Sequence, residues 1–166
     1  MSLFDIARLR RDPSILPASL TLVVILAVGF AASSALQSWM LYQGDRLFAR
    51  TVADLGMTFA AIWLVLAVSH RLHRFRQTIS AVLGTSVLLT PLLVLLIALQ
   101  QPAAMFYAVK LVAWAGLLGA TVWITLIVGH ILKSALEVGF MTSIAIAITF
   151  LVATTVLTAR LFPAAA

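Results

Sequence analysis

The chain has 166 residues, of which 63% are hydrophobic and only 10% charged, and its mean hydropathy is +1.15. A soluble domain carries about 45–50% apolar and about 25% charged residues, so a water-covered fold is excluded, and disorder fails on the same imbalance. Cysteine is absent, which excludes disulfides and thiolate sites, and the net charge of +6 comes from basic residues in short breaks between apolar runs, which points to membrane topology and anionic headgroups rather than nucleic acid.

The N-terminal segment Met1–Asp12 places Asp5, Arg8 and Asp12 at helical spacing. That suits a short interfacial helix, or a plain positive anchor ahead of a span. Asp12-Pro13 reads as an N-cap followed by proline at the first helical position. Beyond it, residues 13–44, 55–70, 77–109, 111–132 and 138–159 contain no Asp, Glu, Lys or Arg. A span needs about 20 apolar residues to cross about 30 Å of hydrocarbon. The runs predict five helices over about 17–41, 51–70, 78–99, 107–132 and 138–162. Nothing alternates as a barrel strand does, and backbone in lipid must satisfy itself. The fold class is therefore all-α, a polytopic five-helix bundle with short loops forming one membrane domain over 1–166. The first run is too long for the apolar region of a cleaved signal peptide, so its helix is expected to be retained.

Basic residues set the orientation. Arg8, Arg10, Arg11, Arg71, Arg74, Arg76 and Lys133 fall on one side, and Arg46, Arg50, Lys110 and Arg160 on the other. The richer side is expected in the cytoplasm, with the N-terminus. Trp39, Tyr42, Phe48, Phe106, Tyr107 and Phe162 gather near the opposite interface as an aromatic belt.

Few residues can carry chemistry. The uncharged part of the second helix, Leu55–His70, reaches only about 24 Å, so Asp54 must sit at or inside the membrane boundary. A charge there is either functional or one half of an i,i+4 pair with Arg50. Lys110 opens the fourth helix and either snorkels outward or approaches Asp54. Pro91 interrupts the third helix and frees the carbonyl of Val87, which Thr85, Ser86 and Thr90 are placed to satisfy. Asp54, Lys110 and Pro91 together form the candidate intramembrane polar site. Arg71, Arg74 and Arg76 are expected to meet lipid phosphate. His70, His73 and His130 share their face, but the arginine field disfavours a cation, so no metal and no cofactor is expected.

Small residues recur at spacing four. They are Ala27, Ala31 and Ala35 on the first helix, Ser80 and Gly84 on the third, and Ala115 with Gly119 and Gly116 with Ala120 on the fourth. Ala145, Thr149 and Ala153 repeat the pattern on the fifth. Such stripes bring helices close, within the bundle or between chains. No nucleophile elbow, phosphate loop, dinucleotide fingerprint or zinc-protease motif occurs, so no enzyme is expected.

The basic loop His70–Arg76, the run Thr78–Gly84 on to Thr90-Pro91-Leu92-Leu93, and Trp123–Leu126 leading to His130–Leu136 resemble the Yip-domain family. These are integral membrane proteins named for interaction with Ypt/Rab GTPases. The resemblance covers roughly Asp54–Leu157 and implies five spans with a cytoplasmic N-terminus. The compact, Arg- and Ala-rich sequence is similar to a bacterial inner-membrane member, which would put the C-terminus in the periplasm. The functional expectation is a non-enzymatic protein acting by lateral contact with lipid or as an accessory subunit of a membrane complex. The alternative is a small transporter or channel using Asp54, Pro91 and Lys110.

Overall fold

The computed structural model describes residues 19–42, 46–101 and 106–162. The expected interfacial segment Met1–Asp12 and its Asp12-Pro13 cap lie outside the described residues. Five helices follow one another: α1 (Leu20–Tyr42), α2 (Leu47–Val68), α3 (Phe75–Ala98), α4 (Tyr107–Leu136) and α5 (Phe140–Leu161), with a 3₁₀ turn at Leu72–Arg74. Each of the five is long and apolar enough to cross a membrane.

Most helix ends differ from the sequence expectation by one to four residues, and α3 starts at Phe75 rather than 78; the largest differences are at the start of α2 and the end of α4. α2 begins at Leu47 instead of 51, which takes Arg50 and Asp54 into the helix body, and it ends at Val68. α4 runs on past Lys133 to Leu136. Charge marks neither end, because a lysine or arginine in a helical backbone can reach water along its own stem. Backbone geometry stops these helices instead. His70 and Glu137 both adopt φ of 54°, the left-handed region that usually receives glycine after a helix. Each costs about 1–2 kcal/mol relative to a right-handed residue.

α3 is the central helix, packing on α1, α4 and α2, while α5 packs chiefly on α4. Its residues Thr78–Thr85 are all buried, so neighbours surround it on every side over two turns. That needs a slender stretch, and Ser80, Ala81 and Gly84 provide it. The fully buried side chains Leu66, Ile79, Leu83, Ile127 and Ile131 gather toward the end that bears Arg71, Arg74, Arg76 and Lys133. We call this the basic end. Phe59 meets Phe75 there edge-on, with ring centroids 6.1 Å apart. At the far end the interior is more open.

α3 continues unbroken through Pro91, which faces outward and is exposed. The hydroxyls expected to serve the carbonyl of Val87 bond elsewhere: Thr85 to Ala81 O, Ser86 to Val82 O and Thr90 to Ser86 O. Each hydroxyl reaches four residues back, which from these positions cannot land on residue 87.

The small-residue stripes divide. At Gly129 an added Cβ would stand 3.0 Å from Ile144 Cγ1 and 3.4 Å from Ile144 Cα, so α4 and α5 touch almost backbone to backbone. Ser143 and Ala147 supply the opposing buried face of α5. Ala145, Thr149 and Ala153 instead face outward, and so do Ala115 and Gly119.

Gly129→Val is therefore expected to destabilise the fold by about 1–3 kcal/mol through overpacking. Gly119→Ala, whose Cβ meets nothing within 4 Å, is expected to be neutral or stabilising by up to about 1 kcal/mol. Thermal midpoints in one detergent check both.

Candidate functional site

The far half of the bundle holds a cavity of about 290 Å³. α1 contributes Phe30, Ser33, Ser34, Gln37, Ser38, Leu41 and Tyr42, and α2 contributes Arg50 and Asp54. Ser86, Thr90 and Leu93 of α3, Ile124 of α4 and Thr158 of α5 complete the wall. Ser33 to Tyr42 covers about 14 Å of helix, so the cavity reaches well below the interface.

Asp54 lies seven residues into α2, about 11 Å along the axis from Leu47. Its carboxylate accepts a hydrogen bond from Ser34 Oγ at 2.5 Å. Its backbone carbonyl accepts one from Thr58 Oγ1 at 2.8 Å. The expected pairing with Arg50 is absent among the described residues, where both ion pairs involve Glu137. Arg50 turns instead onto aromatic faces. Its guanidinium carbon lies 3.7 Å from the Tyr42 ring centroid and 5.1 Å from that of Phe162. Two members of the expected aromatic belt thus serve as a platform for a cation.

Arg50 is only 4% exposed, and its Nε has no hydrogen-bond partner. An arginine costs about 2.5–3.5 kcal/mol at the centre of a spanning helix and less near its end, where Arg50 stands in the first turn of α2. Each cation–π contact returns about 0.5–2 kcal/mol. The rings offset much of the cost of the charge, but they satisfy none of its N–H donors.

The other expected site residues lie apart. Lys110 is half-buried near the start of α4, forms no ion pair with Asp54 among the described residues, and does not line the cavity. α2 and α4 share no substantial packing, which keeps Asp54 and Lys110 apart. Pro91 does not line the cavity either, although its neighbour Thr90 does.

A second hollow, also about 290 Å³, is an apolar groove between α3 and α4. Leu89, Leu92, Leu96, Gly116, Gly119, Ala120 and Trp123 line it, together with Leu93 and Ile124. Those last two residues also line the polar cavity, so the two spaces share a wall.

At the basic end, two of the three arginines expected on lipid have a partner within the chain. Glu137 accepts from Arg71 Nη1 at 2.7 Å and from Arg74 Nη2 at 2.6 Å. Arg74 Nη1 also donates to the carbonyl of Ser134 at 2.8 Å. Arg76 and Lys133 remain exposed. Glu137 can reach both arginines because its left-handed backbone ends α4 beside the α2–α3 turn. The two guanidinium groups hold its carboxyl below the ordinary value of 4.5.

Sequence reasoning missed Ser34 as the partner of Asp54, although a signal was present. Ser33, Ser34, Gln37 and Ser38 form one polar face at i, i+1, i+4 and i+5 inside a charge-free run. Comparison with protein-family models, curated proteins and solved structures finds no match.

Because Glu137 has a depressed folded pKa, its clamp contributes fully above about pH 4.5 and is lost as pH falls through the folded value. Glu137→Gln is expected to melt earlier than the wild type at about pH 6.5, with the difference shrinking as pH falls below about 4.5. Thermal melts of both across that range provide the check.

Proposed function

We propose that the chain is a non-enzymatic, multi-pass protein of a bacterial inner membrane whose work is lateral: it contacts lipid and serves a larger membrane complex as an accessory subunit. The observation that carries this reading is the shared wall of Leu93 and Ile124 between a polar cavity and an apolar groove. A soluble ligand has use for the first space only. A lipid has a polar and an apolar part, and the two spaces offer adjoining room for both. The sequence resemblance to Yip-domain proteins belongs to the same reading. The exposed stripe of Ala145, Thr149 and Ala153 on α5 supplies surface for a partner helix.

The positive-inside rule supports a cytoplasmic basic end and a periplasmic C-terminus. Arg76 and Lys133, exposed there, suit anionic headgroups, each contributing about 1 kcal/mol at such a leaflet. The transporter reading draws support from Asp54 alone, since Lys110 and Pro91 stand off the cavity. Equal proton flux through liposomes carrying wild type or Asp54→Ala would set it aside.

Two measurements test the main reading. Phospholipid is expected to copurify in mild detergent at near-stoichiometric amount. Gly119→Phe, which fills the groove from a position with open space, is expected to reduce it severalfold. Lipid no higher than on an unrelated five-span protein would defeat the proposal. Because the chain has no cysteine, single replacements report orientation directly. Gln101→Cys is expected to react with an impermeant thiol reagent in intact cells, and Lys133→Cys is not; the reverse pattern inverts the map.

A further inference from the structure

We propose that the polar cavity seats a phospholipid headgroup bearing both a phosphate and a primary ammonium, with Arg50 receiving the phosphate and Asp54 the ammonium. The inference rests on the lipid reading above and adds the chemistry of the headgroup.

Hydrogen-bonding capacity remains unused at Arg50. Arg50 lines the cavity, is 4% exposed, and its side chain joins neither of the ion pairs among the described residues. Its Nε stands without a partner. A guanidinium is a planar fork of five N–H donors that matches phosphate oxygens two at a time. The rings of Tyr42 and Phe162 hold that plane in place without consuming a donor.

Four hydroxyls of the wall are biased the other way. Ser33, Ser86 and Thr90 donate their hydroxyl protons to Gly29 O, Val82 O and Ser86 O of their own helices. Ser34 donates to Asp54. What these oxygens still offer the cavity is lone pairs, and the Asp54 carboxylate offers more. The site thus sets the guanidinium donors of Arg50 against the Asp54 carboxylate and these hydroxyl lone pairs, with Gln37 and Ser38 adding neutral groups that can donate or accept. A phosphate satisfies the first, and an ammonium with N–H protons satisfies the second.

Charge and spacing agree. Arg50 and Asp54 sum to zero, so a zwitterion enters without leaving a net charge in hydrocarbon, whereas an anionic headgroup would meet the Asp54 carboxylate. The two residues stand one turn apart on α2, about 6 Å along the axis, a separation that a short linker between phosphate and ammonium can bridge. A quaternary ammonium has no N–H to give the wall oxygens. The groove beside Leu93 and Ile124 then receives an acyl chain against Leu92, Leu96, Gly116 and Trp123.

Native mass spectrometry of the full chain, offered equal amounts of lipids with phosphoethanolamine, phosphocholine and phosphoglycerol headgroups on identical chains, tests this. The wild type is expected to retain the phosphoethanolamine lipid above the other two. Arg50→Gln is expected to weaken that retention about ten- to a hundredfold, as losing charge-assisted hydrogen bonds does. Asp54→Asn is expected to keep lipid but admit the phosphoglycerol headgroup equally. Circular dichroism checks that both variants remain helical, and if either fails to fold, wild-type selectivity alone decides. Equal retention of all three lipids by the wild type overturns the headgroup assignment while the lipid reading stands. No retained lipid defeats that reading as well. Displacement of the lipid by free phosphoethanolamine at similar concentration overturns the proposal in favour of a soluble ligand, and displacement by inorganic phosphate alone removes the role of Asp54.

Discussion

A hydroxyl inside hydrocarbon has no water to bond to, so it gains by finding a carbonyl on its own helix or a partner on another, and among the described residues the buried hydroxyls of Thr51 and Ser80 do neither. Most of the serines and threonines here take the first course. Thr85, Ser86, Thr90, Thr121, Thr125, Thr149 and Thr155 all bond four residues back. Their hydroxyls make no bond between helices. Ser34 takes the second course and bonds across to Asp54, joining α1 to α2 inside the span. That contact fixes which way Asp54 faces. It also explains why α1, with scarcely a buried apolar side chain beyond Val23, keeps its polar face inward.

The two halves of the bundle divide the labour. Near the basic end, branched side chains and close backbone contact make a dry, filled interior. Toward the far end the interior is lined by hydroxyls, an amide and two charges, and it is hollow. The Glu137 clamp closes the filled half at its rim by tying the α4–α5 turn to the α2–α3 turn. The ends of the two helix-turn-helix units are thereby held together by ion pairs, whereas the opposite end is held by the Arg50 contacts with Tyr42 and Phe162 and by the hydrogen bond from Gln101 Nε2 to Met40 O.

The number and approximate placement of the helices were legible in the sequence, because charge-free runs of sufficient length have one stable form in lipid. The exact ends were not, since His70 and Glu137 end their helices through a backbone conformation that neither residue type announces. Asp54 was legible as an intramembrane polar residue. Its partner was not, because the i,i+4 rule favours a neighbour on the same helix and cannot foresee that Tyr42 and Phe162 draw Arg50 away. Pro91 and Lys110 look as notable as Asp54 in one dimension. Only the packing, which leaves Pro91 facing outward and gives α2 no substantial contact with α4, separates them from the cavity.

The order of helices along the chain bears on how the bundle comes together. α1 packs most extensively on α3, yet α2 is made between them. The Asp54–Ser34 bond lies within the α1–α2 hairpin, so the polar face of α1 has a partner that does not depend on α3. α3, which packs on both helices, completes a pair that this hydrogen bond already joins. α4 and α5, which pack chiefly on each other, can join last as a preassembled unit.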